Sequence, residues 1–101
     1  MKQTLLDTLR EQVVPLLTPY ASRIAAFGSA ARGDDGPDSD IDLLIRLRPP
    51  AERPPLGLAW FDLEARLSRH LGRPVVLVTE DALSRHVRPF IEPDLVVLYE
   101  E

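Results

Sequence analysis

The chain has 101 residues, 45% hydrophobic and 28% charged, which fits one soluble globular domain, residues 1–101, with a modest core. Its net charge of −4 argues against a surface that binds nucleic acid directly, which would be basic. Without cysteine there is no disulfide or thiolate metal site, and with no apolar run approaching about 18 residues and no signal core after Met1-Lys2-Gln3, a cytoplasmic location is expected.

Residues 3–14 place Leu5, Leu6, Leu9 and Val13 on one helical stripe, with Thr4 as N-cap and Asp7 three residues on. Pro15 ends or kinks that helix, and Leu16-Leu17 extend it by a turn before Thr18-Pro19. Ile24 to Phe27 is too short for a helix between Pro19 and Gly28 and is predicted as the first strand. Ala30-Ala31-Arg32 reads as one helical turn closed by Gly33, and Asp34 to Ser39 as a loop stiffened by Pro37, its aspartates solvated. Ile41 to Leu47 is the second strand, dense enough in apolar residues to be covered on both faces. Pro49 to Gly57, with four prolines, is an exposed connection. Leu58 to Leu71 is a long helix ended by Gly72, Val75 to Thr79 a third strand, Asp81 to Val87 a short helix, and Leu95 to Tyr99 a fourth strand. Strands interleaved with helices at these lengths predict an α/β or α+β domain: a mixed sheet of about four strands with helices on one face.

The chemistry gathers between Ile24 and Arg46. Gly28-Ser29 follows an apolar run, ten residues separate Ser29 from Asp40, and Asp40-Ile41-Asp42 opens the next strand. Side chains alternate along a strand, so Asp40 and Asp42 share a face about 7 Å apart along the chain. Two carboxylates fixed together repel unless a cation lies between them, and hard oxygen donors suit Mg²⁺. A helical turn opening at Ser29 offers free N–H groups and a positive dipole end to a phosphate, and Gly28 lets the backbone approach closely. Arg32 is placed to stabilise phosphate charge, or to be a solvated helix-end arginine. Asp38 to Asp42 begins like a calcium loop, but Leu43 stands where its glycine would be and Pro49 where its glutamate would be.

Gly-Ser, ten residues, then Asp-x-Asp resembles the nucleotidyltransferase motif of the DNA polymerase β superfamily. GSAARG followed by SDIDLLI is similar to the minimal nucleotidyltransferases, which commonly act with HEPN-domain proteins as antitoxins. The resemblance spans nearly the whole chain. It implies a polymerase-β-like fold, with Gly28 and Ser29 holding the nucleotide's phosphates and Asp40 and Asp42 holding Mg²⁺ or Mn²⁺. It also implies transfer of a nucleotidyl group, AMP from ATP, to a hydroxyl of a HEPN partner.

The sequence departs from the family at one telling place. The resemblance implies a third acid on the third strand, where Gly72-Arg73-Pro74-Val75-Val76 puts Val76 instead. Three readings stay open: transfer with two aspartates, a substitute acid from Glu64, Glu80 or Asp81, or a degenerate fold that binds nucleotide or partner without turnover. Ala30 also stands where many relatives have arginine. Arg46 alternates onto the aspartate face, as a pocket residue or as half of an ion pair. Trp60 and Phe61 are expected in the core or at a partner interface, and His70 and His86 at the surface.

Overall fold

The computed structural model describes residues 4–33, 36 and 39–101. The first helix, α1 (Leu5–Gln12), starts where expected: the Thr4 hydroxyl accepts the Asp7 N–H at 3.1 Å. Val13 is a kink between α1 and α2 (Val14–Leu17), so Pro15 opens the second helix more than it closes the first. Strand β1 (Ala21–Phe27) begins three residues before the sequence-based expectation. It runs into α3 (Ser29–Arg32), then β2 (Ile41–Leu47). The proline-rich connection holds one short 3-10 turn, Pro50–Glu52, before α4 (Gly57–Leu71) and β3 (Val75–Thr79). The chain closes with α5 (Arg88–Ile91) and β4 (Val96–Glu100).

The four strands lie in the order β3-β2-β1-β4. β1 pairs antiparallel with β2 and β4, and β2 pairs parallel with β3. A parallel neighbour needs a long crossover, which α4 supplies. On one face Ile24, Ala26, Ile41, Leu43, Ile45 and Val75 pack against Leu9, Val13 and Leu17 of the first two helices and Trp60, Leu63 and Leu67 of α4. Period-2 alternation turns Ala25, Phe27, Asp42, Leu44, Arg46 and Val76 to the opposite face. Leu44 and Ala25 are buried there too, so the centre of the sheet is enclosed on both sides, as the apolar run of β2 requires.

The helix expected over residues 81–87 does not form. A 3-10 turn covers Glu80–Ala82, Leu83 is extended, and Ser84 starts a new turn whose hydroxyl accepts the His86 N–H. The α-helical turn comes later, with Pro89 in its first turn, where a missing N–H costs nothing. This connector is fastened to the aspartate face: Arg88 donates to Glu80, and Glu80 also accepts from Arg46, each at 2.9 Å.

At the sheet edge, β3 is closed off by α4. The Val75 N–H donates to the Ser68 hydroxyl and the Leu77 N–H to the Glu64 carboxylate, both at 2.9 Å. Glu64 and Ser68 are four residues apart, one above the other on the helix, so they satisfy alternate donors of an edge that would otherwise template pairing with another chain. Glu64→Ala should therefore lower stability by about 1 kcal/mol, or several degrees in melting temperature. It should also introduce concentration-dependent association in sedimentation velocity. A variant that stays monodisperse with unchanged melting would show that the Glu64 contact does not protect the edge.

Candidate functional site

The site is built on the junction of β1 and β2. β1 ends at Phe27, and Gly28 turns the chain with φ +71°, a conformation that L side chains rarely adopt. α3 starts at the next residue and ends at Gly33, φ +78°, whose N–H returns to the Ser29 carbonyl at 3.0 Å. The first N–H groups of such a turn have no partner within it. The antiparallel register sets Phe27 opposite Asp42, which brings the Gly28 backbone against the Asp42 side chain. A Cβ at residue 28 would stand 2.8 Å from Asp42 Oδ2. Two features far apart in the chain, the glycine-serine turn and the aspartate pair, thus meet in one place.

Asp40 is exposed, two residues ahead of Asp42 and just before β2 begins, near enough for its charge to act on Asp42. Its neighbours are pinned from both sides. Arg73 donates to the Ser39 carbonyl through Nε at 3.1 Å and Nη2 at 3.0 Å, and the Ile41 N–H donates to the Pro74 carbonyl at 2.8 Å. The Ser39 hydroxyl accepts the Gly36 N–H at 2.9 Å. The expected aspartates Asp34, Asp35 and Asp38 lie outside the described residues. Arg73 was not singled out from the sequence as a site residue. Its place just before β3 was the only cue, since nothing in sequence order links it to Ser39.

Register also fixes Val76: on parallel β3 it is the direct partner of Asp42. Asp42 thus sits between Phe27 and Val76, both apolar, on one face of the sheet. Burial, and after it the charge of Asp40, pushes the Asp42 carboxyl above the ordinary carboxylate value. Among the described residues no group of three or more acidic, histidine or cysteine side chains is gathered for a metal. Two of the candidate substitute acids are committed elsewhere. Glu64 closes the β3 edge, and Glu80 is held by Arg46 and Arg88 with Arg23 at 3.9 Å. Asp81 is exposed in the turn after β3. Arg46 is thus an ion-pair residue. Arg32 pairs with Asp94 at 3.4 Å, which ties α3 to the residues just before β4.

The remaining candidates stay away from the site. Trp60 is buried edge-on against Tyr20, ring centroids 5.3 Å apart, while Phe61 is 75% exposed. Both line a cavity of about 100 Å³ with Glu64 and Leu77, on the helix side of the sheet. His70 meets Gln12 at 2.9 Å and joins α4 to α1, and His86 is exposed. No helix among the described residues is long and apolar enough to cross a membrane.

Residues 6–99 match the family model of the nucleotidyltransferase domain. The chain is 37% identical over 92 residues to the Methanocaldococcus jannaschii protein named "Putative protein adenylyltransferase MJ0128", covering 89% of this chain and 90% of the relative. A second protein of that organism, "Putative protein adenylyltransferase MJ1217", is 38% identical over 76 residues, or 74% of each chain. Among solved structures, a "putative minimal nucleotidyltransferase" superimposes with a TM-score of 0.72 at 32% identity, covering 95% of this chain and 98% of that one. A toxin-antitoxin crystal structure with AMP-PNP has the same fold, TM-score 0.74 at 22% identity, covering 91% of this chain and 73% of that one.

The Asp42 environment makes a pH prediction. A carboxyl whose pKa is raised by folding contributes stability that is fully present below its unfolded value of 3.8 and lost as pH rises through the folded value. Metal-free Asp42→Asn should therefore melt higher than the parent near pH 7, and the gap should shrink as pH falls toward about 4. A gap that does not change with pH in chelator would show that the carboxylate is not held against its ionisation. Gly28→Ala should lose both stability and nucleotide affinity, because the new methyl group meets Asp42 and the backbone is strained. Unchanged melting in that variant would refute the close approach.

Proposed function

The chain belongs to the nucleotidyltransferase domain family, and on that footing we propose that it transfers AMP from ATP to a hydroxyl group of a partner protein. The observation that carries this reading is the contact of Gly28 with Asp42, which joins a phosphate-accepting turn to a carboxylate pair. The relatives named as adenylyltransferases of proteins support the choice of AMP and of a protein acceptor.

Each residue has a task in this scheme. The Gly28 turn and the opening N–H groups of α3, starting at Ser29, receive the triphosphate, and Arg32 adds positive charge at the far end of that turn. Asp40 and Asp42 are the ligands for Mg²⁺ or Mn²⁺. The fit is chemical: both donors are hard oxygens, and Asp42 bears the cost of an ionised carboxylate in an apolar setting next to another, a cost that a cation removes. A bound divalent ion supplies charge neutralisation to the triphosphate and to the pyrophosphate leaving group. The acceptor oxygen forms its bond to the α-phosphorus, the bond to the bridging oxygen breaks, pyrophosphate leaves, and the hydroxyl proton passes to water. The chain's contribution is positioning and electrostatics, which is most of what phosphoryl-type transfer requires.

The acceptor is assigned to a HEPN-domain toxin, with this chain as its antitoxin. The family resemblance supports that assignment, and so does the fold shared with a toxin-antitoxin structure. Val76 favours a second reading, in which the fold binds nucleotide and partner without turnover, because an alkyl group stands beside Asp42 where an acid is expected.

Incubation with labelled ATP, Mg²⁺ and the product of the neighbouring gene separates the two. Label should appear on the partner and vanish in the Asp40→Asn/Asp42→Asn double variant, while Val76→Asp changes the rate by no more than a few fold. A stable complex that takes no label until Val76→Asp is introduced would establish the binding reading. Undiminished ATP and Mg²⁺ binding by the double variant would remove the site assignment altogether.

A further inference from the structure

The connector between β3 and β4 carries an aromatic ring that neither the core nor the proposed chemistry uses. Phe90 is 81% exposed, on the short helix α5. Ile91 and Glu92 keep right-handed helical backbone angles, so α5 runs on into the 3-10 turn Glu92–Asp94 as one helical stretch. Phe90 lies four residues before Asp94 on it. Asp94 is the residue that reaches Arg32, at 3.4 Å, and Arg32 lies one turn after Ser29, roughly 5 Å along α3. The other end of the stretch is held by Arg88 through Glu80 to Arg46, a residue of the aspartate face. The Asp94 anchor ties the end of the Phe90 stretch to α3, while the Arg88 anchor lies at Arg46, four residues or roughly 13 Å along β2 from Asp42, so the stretch runs over the aspartate face toward the phosphate turn.

We propose that Phe90 is the base platform of the nucleotide site: its ring stacks on the base of the nucleotide whose phosphates lie at Gly28-Ser29. This inference rests on the nucleotide reading above and assigns the part of the ligand that reading leaves without a contact. The phosphates meet backbone and charge, whereas a base offers a flat aromatic face and needs an apolar surface. Phe61, also exposed, borders the cavity on the helix side of the sheet, and Phe27 is only partly exposed beside Asp42. Stacking is tolerant of base identity, so Phe90 supplies affinity for a nucleobase more than choice among bases.

Calorimetric titration of the full chain with Mg²⁺-ATP and with Mg²⁺-tripolyphosphate tests this, because the second ligand has no base. Phe90→Ala should weaken ATP roughly tenfold and leave tripolyphosphate within about twofold, with Phe90→Trp restoring ATP affinity. At 81% exposure the ring is not core, so melting temperature should not move. Equal loss for both ligands would make Phe90 a scaffold residue and overturn the proposal. So would wild-type ATP affinity in Phe90→Ala, and loss of the partner complex in that variant would then assign the ring to a protein contact. A parent chain that binds neither ligand would instead sink the nucleotide reading on which the proposal stands.

Discussion

The structure depends on the antiparallel register of β1 and β2. Setting Phe27 opposite Asp42 brings the Gly28 backbone against the Asp42 carboxylate, so only glycine fits at residue 28. A slip of one residue would turn Asp42 into the core and Leu43 out of it. The register is specified strongly because Ile24, Ala26, Ile41, Leu43 and Ile45 must all stay on the helix face. The hydrophobic effect that folds the sheet is thus the same force that aims the carboxylates.

Around that centre, side-chain hydrogen bonds finish what burial begins. Ser68 and Glu64 close the β3 edge, Arg73 holds the carbonyl just before Asp40, and Glu80 gathers Arg46 and Arg88 where the connector leaves the sheet. The ion pairs involved are partly exposed, and pairs of that kind stabilise by at most about 1 kcal/mol each. Their value here is geometric: they fix where loops start and stop around the aspartate face of the sheet.

Asp42 carries an electrostatic cost within the fold. Flanked by Phe27 and Val76, its carboxylate is partly desolvated, and Asp40 adds like charge. A metal-free fold would be better without that charge, while a fold that receives a cation gains from it. Val76 moderates the conflict, since a third carboxylate directly beside Asp42 would raise the repulsion further. An alkyl side chain can neither bind a cation nor accept a proton, so the lower repulsion and the narrower chemistry come from one residue.

Much of this was legible in the chain itself. Alternation and apolar density gave Ile41 to Leu47 and Val75 to Thr79 as strands with the bounds observed, and glycine at residue 72 marked the end of α4. The motif spacing singled out Gly28, Ser29, Asp40 and Asp42 as candidates because these are local patterns, each carried by its own strand or turn. The helix expected over residues 81–87 failed because Leu83 takes an extended backbone and Ser84 starts a new turn, so local propensity was overruled. What only the tertiary structure decided was contact between distant residues: Gly28 on Asp42, Val76 beside Asp42, Arg73 on Ser39, Arg32 on Asp94, and Glu80 drawn away from the site by three arginines. Strand register and the path of a connector are set by the packing of the whole sheet, and no window of sequence contains that information.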